Sequence, residues 1–287
     1  MQITQIRPPL TDTRKYLKTE TMNDLCHCSS VTKLNCHLTM SVHCILAILI
    51  LVMTLDDQVY SGKIIGGHEA VPHSRPYMVF LERYMSDGKK KYCGGFLLNE
   101  DFVMTAAHCH AKSYTVLLGA HNVNSNSEIQ RISVEQAFPH KHFNATSLVN
   151  DVMLLKLSTK ANFNENVKPI PLAGRDNGIL PKSCILSGWG RTDKNGKYMS
   201  PKLMEISVTL IDNKECAIEN FYCSQGDTGP AEGDSGGPLV CEDGKAFGVV
   251  SSAVTPHSGG SDIYRYSKIP DSRNWIFSTI GNAMIKV

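Results

Sequence analysis

Nine short apolar runs, each fenced by Gly, Asn, Asp or Lys clusters, restrict this chain to a β-rich fold. They occupy residues 77–81, 95–98, 102–105, 114–118, 152–157, 185–188, 203–210, 238–240 and 247–250. Most hold four to eight residues and carry β-branched or aromatic side chains, the length and make-up of strands rather than helices. Short strands at this frequency close into sandwiches or barrels. Only residues 271–284 read as a helix, because Trp275, Ile276, Ile280 and Met284 recur roughly one face apart. The expected class is therefore all-β with a C-terminal helix, and two β-barrels of about 110 residues each suit the length.

The 287 residues include 42% apolar and 20% charged side chains, which rules out a disordered or collagen-like chain. The net charge of +2 argues against nucleic acid as a partner, since such proteins usually carry a clear basic excess. Residues 1–39 are polar and aperiodic. Residues 42–55 (VHCILAILILVMTL) form a fourteen-residue apolar run ending at Asp56-Asp57. A membrane span needs roughly 20 such residues, so the run has the size of a signal-peptide core, with Val59-Tyr60-Ser61 as cleavage region. Because Met40 stands immediately before it, the expected organisation is an N-terminal extension over 1–39 and a signal peptide over 40–61. A short signal anchor is the alternative; either way the rest enters the secretory pathway.

Ten cysteines suit an oxidising compartment. Four lie before residue 64; the remaining six are Cys93, Cys109, Cys184, Cys216, Cys223 and Cys241, an even number suited to three disulfides. They lack the paired spacing of a zinc site, and no metal or cofactor is expected. His140 and His142 could pair on a metal, but no third ligand is in view, and His110 reads as exposed.

Three separated motifs carry chemistry. In Gly233-Asp234-Ser235-Gly236-Gly237-Pro238, glycines let the backbone turn tightly about Ser235, so the N–H groups of Gly233 and Ser235 can face one oxyanion. A serine hydroxyl is a poor nucleophile without a base, and Thr105-Ala106-Ala107-His108-Cys109 offers one at the end of an apolar strand. Asn150-Asp151 stands directly before another apolar run, where a partly buried carboxylate needs a hydrogen-bond donor such as His108. The order His108, Asp151, Ser235 is one of the known orders of a Ser-His-Asp triad.

With these motifs the chain resembles the chymotrypsin-like serine proteases over essentially all of residues 64–287, and most of all the granzymes and mast-cell proteases. The residues carrying the likeness are Ile64-Ile65-Gly66-Gly67-His68-Glu69-Ala70, Pro72-His73-Ser74-Arg75-Pro76-Tyr77-Met78, Leu118-Gly119-Ala120-His121-Asn122-Val123 and Ser187-Gly188-Trp189-Gly190. The resemblance implies two six-stranded antiparallel barrels and a secreted or granule serine endopeptidase with an immune role. It implies activation by a cut after Lys63, residues 62–63 being a dipeptide propeptide, with the freed Ile64 amine pairing with Asp234. The implied disulfides are Cys93–Cys109, Cys184–Cys241 and Cys216–Cys223. The last spans about half its usual segment, so either the bridge closes a tighter loop or the sequence has lost part of an exon. Implied partners are protein or peptide substrates and serpin-type inhibitors. A membrane enters only if the signal segment is retained, and a monomer is expected. A catalytically silent homologue acting as a binding module is the alternative.

The resemblance also places a substrate pocket at Gly229, Glu232, Ser251, Ala253 and Tyr264. Gly229 stands where trypsin-like enzymes carry an aspartate, which disfavours a simple basic preference. Ser251 would contact Asp151, and in Val250-Ser251-Ser252-Ala253 an aromatic wall is missing. An ungapped register puts Tyr264 in the pocket, favouring modest apolar side chains, with the adjacent Arg265 leaving an acidic preference open. A two-residue shift would put Asp262 there and restore a basic preference. Asn144-Ala145-Thr146 is an N-glycosylation sequon on an expected loop.

Overall fold

The computed structural model describes residues 64, 66–125, 129–174, 180–192, 197–256 and 259–285. The expected extension, signal segment and propeptide lie outside them. The elements run β1 (His68–Glu69), β2 (Met78–Tyr84), β3 (Lys90–Leu97), β4 (Phe102–Thr105), a 3-10 turn (Ala107–Cys109), β5 (Ser113–Leu118), β6 (Gln130–Pro139) and β7 (Met153–Leu157). There follow β8 (Ser183–Gly188), β9 (Met204–Ile211), α1 (Lys214–Ile218), β10 (Phe221–Gly226), β11 (Pro238–Cys241), β12 (Ala246–Val254), β13 (Asp262–Lys268) and α2 (Ile269–Ile285).

Strands β2-β3-β4-β7-β6-β5 close into one antiparallel barrel. The second runs β8-β9-β10-β13-β12-β11 and closes where β11 and β9 both pair with β8, while β1 adds to the edge of β9. The chain thus forms the two six-stranded barrels and C-terminal helix expected of it. Phe96, Phe102, Met104, Leu118 and Leu155 fill the first barrel; Leu186, Tyr222, Leu239 and Tyr266 fill the second. Buried Trp189 meets Phe80 of β2 edge-on at 5.6 Å and donates its indole N–H to the His121 carbonyl, tying the second barrel to the first.

Strands β6, β10 and β13 lie outside the nine apolar runs. In β6 (QRISVEQAFP) only Ile132 is buried, and its polar faces are held by pairing with β5 and β7. In β13 the charged Asp262, Arg265 and Lys268 break the apolar pattern, yet the strand pairs on both sides. The helix buries Ile269, Ser272, Ile276 and Ala283, whereas Met284, expected on that face, is exposed.

All three disulfides form as the resemblance implied. Cys184 and Cys241 face each other across paired β8 and β11. The short Cys216–Cys223 segment closes as a tight helix-turn-strand. Asn213 caps α1 by accepting the Cys216 N–H at 3.0 Å, and Asn220 at φ 65° turns the chain into β10.

Candidate active site

Antiparallel pairing brings His108 and Asp151 together. Thr105, at the end of β4, pairs with Met153, at the start of β7, so the residues just beyond each strand meet. The disulfide from Cys109 to Cys93 of β3 anchors the 3-10 turn that presents His108. Asp151 is fully buried and accepts three hydrogen bonds: His108 N–H to Oδ1 at 2.8 Å, His108 Nδ1 to Oδ2 at 2.6 Å, and Ser251 Oγ to Oδ2 at 2.7 Å. Ser251 reaches it because a bulge between Val250 and Ser252 re-aims its side chain from β12.

Ser235 comes from the other barrel, and glycines set how closely it approaches. Its carbonyl accepts the Gly94 N–H of β3 at 2.8 Å. A Cβ on Gly236, whose φ is +87°, would strike Thr105 Oγ1 and approach the Ala106 nitrogen to 2.9 Å. No other residue fits without separating the barrels. Ser235, His108 and Gly233 consequently line one cleft of about 610 Å³. Gly233 at φ +104° also favours glycine, and a Cβ there would come within 3.0 Å of the Gly190 Cα. The N–H groups of Asp234, Gly236 and Gly237 are each spent on carbonyls, but those of Gly233 and Ser235 have no protein acceptor among the described residues.

Asp234 points away from the cleft and is buried. Its Oδ1 accepts the Gly190 N–H at 2.7 Å and its Oδ2 the Ala231 N–H at 2.9 Å. Burial pushes its pKa up to about 6, partly offset by those two N–H groups. No cation lies within ion-pair distance of it among the described residues. Ile64 is wholly buried in the second barrel's core beside Tyr222 and Tyr266.

The ring of Tyr264, itself almost wholly buried, lies over Gly229, where an added Cβ would come within 2.5 Å of its Cε2. Tyr264 pairs with Ser224 and Ala253, while Asp262 sits at the strand's start and accepts a hydrogen bond from Thr255 Oγ1 at 2.7 Å. Arg265 faces the other way: it donates to Ser252 Oγ at 2.9 Å, pairs with Glu219 at 2.8 Å and covers the Phe221 ring. It is therefore no base for an acid-binding pocket. Glu232 pairs with Arg191 at 2.7 Å. His110 is exposed; His140 stacks edge-on against Trp275 and its Nδ1 accepts the His142 N–H. Asn144 is exposed on the loop before Asp151, its Oδ1 accepting the Thr146 and Ser147 N–H groups.

Two closed barrels, with a His–Asp pair and a serine lining one cleft, define a class, and the comparisons agree. The chain matches the trypsin family over residues 64–276 and belongs to it. It is 38% identical to granzyme B of Rattus norvegicus, covering 82% of this chain and 98% of that protein. It is 41% identical to duodenase-1 of Bos taurus, covering 81% and 95%. A solved structure titled "Structure of GrC" superposes with a TM-score of 0.68 at 37% identity, covering 76% of this chain and all of that one. The chain is thus a trypsin-family serine endopeptidase of the granzyme and mast-cell-protease branch.

Proposed function

We propose that the chain is a secreted or granule endopeptidase of immune defence, inert until cut after Lys63, that cleaves peptide bonds through Ser235, His108 and Asp151. Ser235 Oγ attacks the scissile carbonyl while His108 Nε2 takes its proton and later returns it to the leaving amine. Asp151 fixes the Nδ1–H tautomer and stabilises the imidazolium. The N–H groups of Gly233 and Ser235 meet the oxyanion, worth about 2.7–4 kcal/mol for such a donor. The observation that carries this reading is the shared cleft: His108, already bound to Asp151 at 2.6 Å, lines it together with Ser235 and Gly233, and the Gly233 and Ser235 N–H groups are uncommitted among the described residues. Asn144 is its expected N-glycan acceptor, serpin-type inhibitors its expected regulators, and a monomer its working form.

A fluorophosphonate probe tests the reading. The Lys63-cleaved protein should be labelled stoichiometrically at Ser235 and the Ser235→Ala variant not at all. Folded, cleaved protein that resists the probe would instead favour a silent homologue.

Tyr264 over Gly229 supports a preference for small or modest apolar side chains at the residue before the cut. Replacing Tyr264 by glycine removes the ring from the pocket. That change should shift selectivity toward Phe or Tyr over Ala by at least about tenfold, the scale of filling versus overfilling a pocket. A peptide library varied at that residue reads the change; a wild-type preference for Arg or Lys would contradict the pocket assignment.

A further inference from the structure

The Cys93–Cys109 disulfide lies against His108. A ring nitrogen of His108 and the two cysteine sulfurs all fall within 4.8 Å of one another. Among the described residues, no other three ligand atoms of histidine, cysteine or carboxylate lie so close together. The sequence separates them, because Cys93 stands on β3 while His108 and Cys109 share the turn after β4. Cys109 Sγ also lies 3.8 Å from the Ser235 carbonyl oxygen, so the bridge touches both halves of the site.

Arg83 sets this bridge apart. Only 8% exposed, it reaches sulfur atoms alone: Nη1 to Cys93 Sγ at 2.9 Å and Nη2 to Met85 Sδ at 3.9 Å. Its buried Nε has no partner, and no carboxylate lies within ion-pair distance of it among the described residues. Disulfide sulfur is a weak acceptor, so a guanidinium with five N–H donors retains most of its bonding capacity. A thiolate at Cys93 would meet that capacity with a full negative charge. The cation therefore draws an attacking thiolate toward the bridge and favours the reduced form once it is made.

The bridge also has an entrance. Cys93 lines the cleft of about 610 Å³ that holds Ser235 and His108, which admits a small dithiol. One thiolate of the dithiol attacks Cys93 Sγ and expels Cys109 as a thiolate, which takes up a proton. The second thiol then displaces Cys93, leaving two cysteine thiols and the dithiol oxidised to its disulfide. The freed sulfurs hang from Cα atoms 6.4 Å apart. Tetrahedral zinc, with bonds of about 2.0–2.3 Å, needs its ligand atoms about 3.5–3.8 Å apart, a small adjustment from this cluster. His108 Nδ1 is spent on Asp151 at 2.6 Å, so Nε2 is the free ligand. A carboxylate on the far nitrogen is the usual partner of a zinc-bound histidine.

We infer that Cys93, Cys109 and His108 form a thiol-gated zinc site, shut while the bridge is intact and opened by its reduction. Each thiol gives up its proton as zinc binds, water takes the fourth position, and His108 leaves the triad. An enzyme so built works where disulfides persist and falls silent where dithiols and zinc occur together. That silencing rests on the protease reading above; the metal site does not.

The test uses Lys63-cleaved protein, opened with dithiothreitol and desalted without oxygen, with zinc as the only added metal. Alkylation mapping reads which bridge has opened, and competition with a chromophoric chelator reads zinc binding; neither needs turnover. The reduced protein should bind one zinc per opened Cys93–Cys109 bridge, and the oxidised protein none. Zinc should abolish fluorophosphonate labelling of Ser235 in the reduced form alone, and excess chelator should restore it. His108→Gln should weaken zinc binding by at least about tenfold, the least that losing even an outer partner costs. The Cys93→Ser, Cys109→Ser double variant should bind none. Arg83→Met should slow opening of this bridge by about tenfold, the low end for a contact with a charged partner. Zinc on the oxidised protein, none on the reduced one, or an affinity untouched by His108→Gln overturns the site, whether or not the double variant folds. Loss of the fold on opening this bridge alone overturns it too. If oxidised protein resists the fluorophosphonate while zinc binds as stated, the protease reading has failed and the metal site stands.

Discussion

Replacing Asp151 by asparagine is expected to lower kcat by about 10⁴-fold, the scale for a triad locked in the wrong tautomer, with little loss of stability. The hydrogen bonds at Asp151 dictate the outcome. Oδ1 accepts the backbone N–H of His108 and must remain an oxygen. The amide NH2 therefore replaces Oδ2, which faces both His108 Nδ1 and Ser251 Oγ. Nδ1 must then accept a hydrogen bond, which puts the imidazole proton on Nε2, facing Ser235, where a base is needed. The Ser251 hydroxyl can rotate to accept the second amide hydrogen, so no buried polar group is orphaned. The melting temperature should move by no more than about 4 °C. Steady-state hydrolysis of a peptide substrate, with thermal unfolding of the same sample, checks both halves. A loss of kcat below tenfold would mean that the pair does not serve the reaction.

That argument uses residues whose motifs were plain in the chain, and the reason is local chemistry. A glycine-flanked serine, a histidine at a strand end and a carboxylate before a strand each carry their signature within a few positions. The barrels were legible because most inward faces are apolar runs. β9 shows this, its residues alternating between core and surface. β6 was not among the runs because it has little apolar content of its own, whereas in β10 and β13 the buried Phe221, Tyr222, Tyr264 and Tyr266 stand beside polar or charged residues that break the pattern. Ile132 alone is buried in β6, and β13, paired with β10 and β12, buries Tyr264, Tyr266 and Ser267 between its charged residues. The Tyr264 register had two sequence solutions because Tyr264 and Asp262 share one face of β13. The Tyr264 ring packs on Gly229, a contact across 35 positions that no local pattern carries. Arg83 carried no signal at all, since an arginine in a strand ordinarily faces water. Its burial against the Cys93 sulfur exists only once the barrel closes.

The cut after Lys63 should raise kcat/KM by about 10²- to 5 × 10³-fold, and the buried carboxylate of Asp234 is the reason. Among the described residues Asp234 has only the N–H groups of Gly190 and Ala231 as hydrogen-bond partners. With its pKa pushed up to about 6 from 3.8, holding it ionised at neutral pH costs about 3 kcal/mol relative to the unfolded chain. The sign follows from linkage: because the folded pKa is raised, the stabilisation of the protonated form is complete below about pH 3.8 and lost as pH rises through about 6. The intact protein should therefore lose stability from pH 4 to 7 in a way that intact Asp234→Asn does not. Freeing the Ile64 amine, on a residue already seated in the core, would supply the missing cation. A buried pair of this kind typically loses about 3–5 kcal/mol when one partner is removed, which converts to the activity ratio above. The cleaved protein should then lose the Asp234 component of the pH slope, while acetylation of Ile64 or Asp234→Asn should leave a folded protein at zymogen-like activity. Thermal melting across pH 4–7 and peptide hydrolysis at neutral pH, on intact and cleaved samples of parent and variant, measure both effects. Full turnover by the acetylated protein, or equal slopes in all four samples, would show that Asp234 needs no counter-charge and that activation proceeds otherwise.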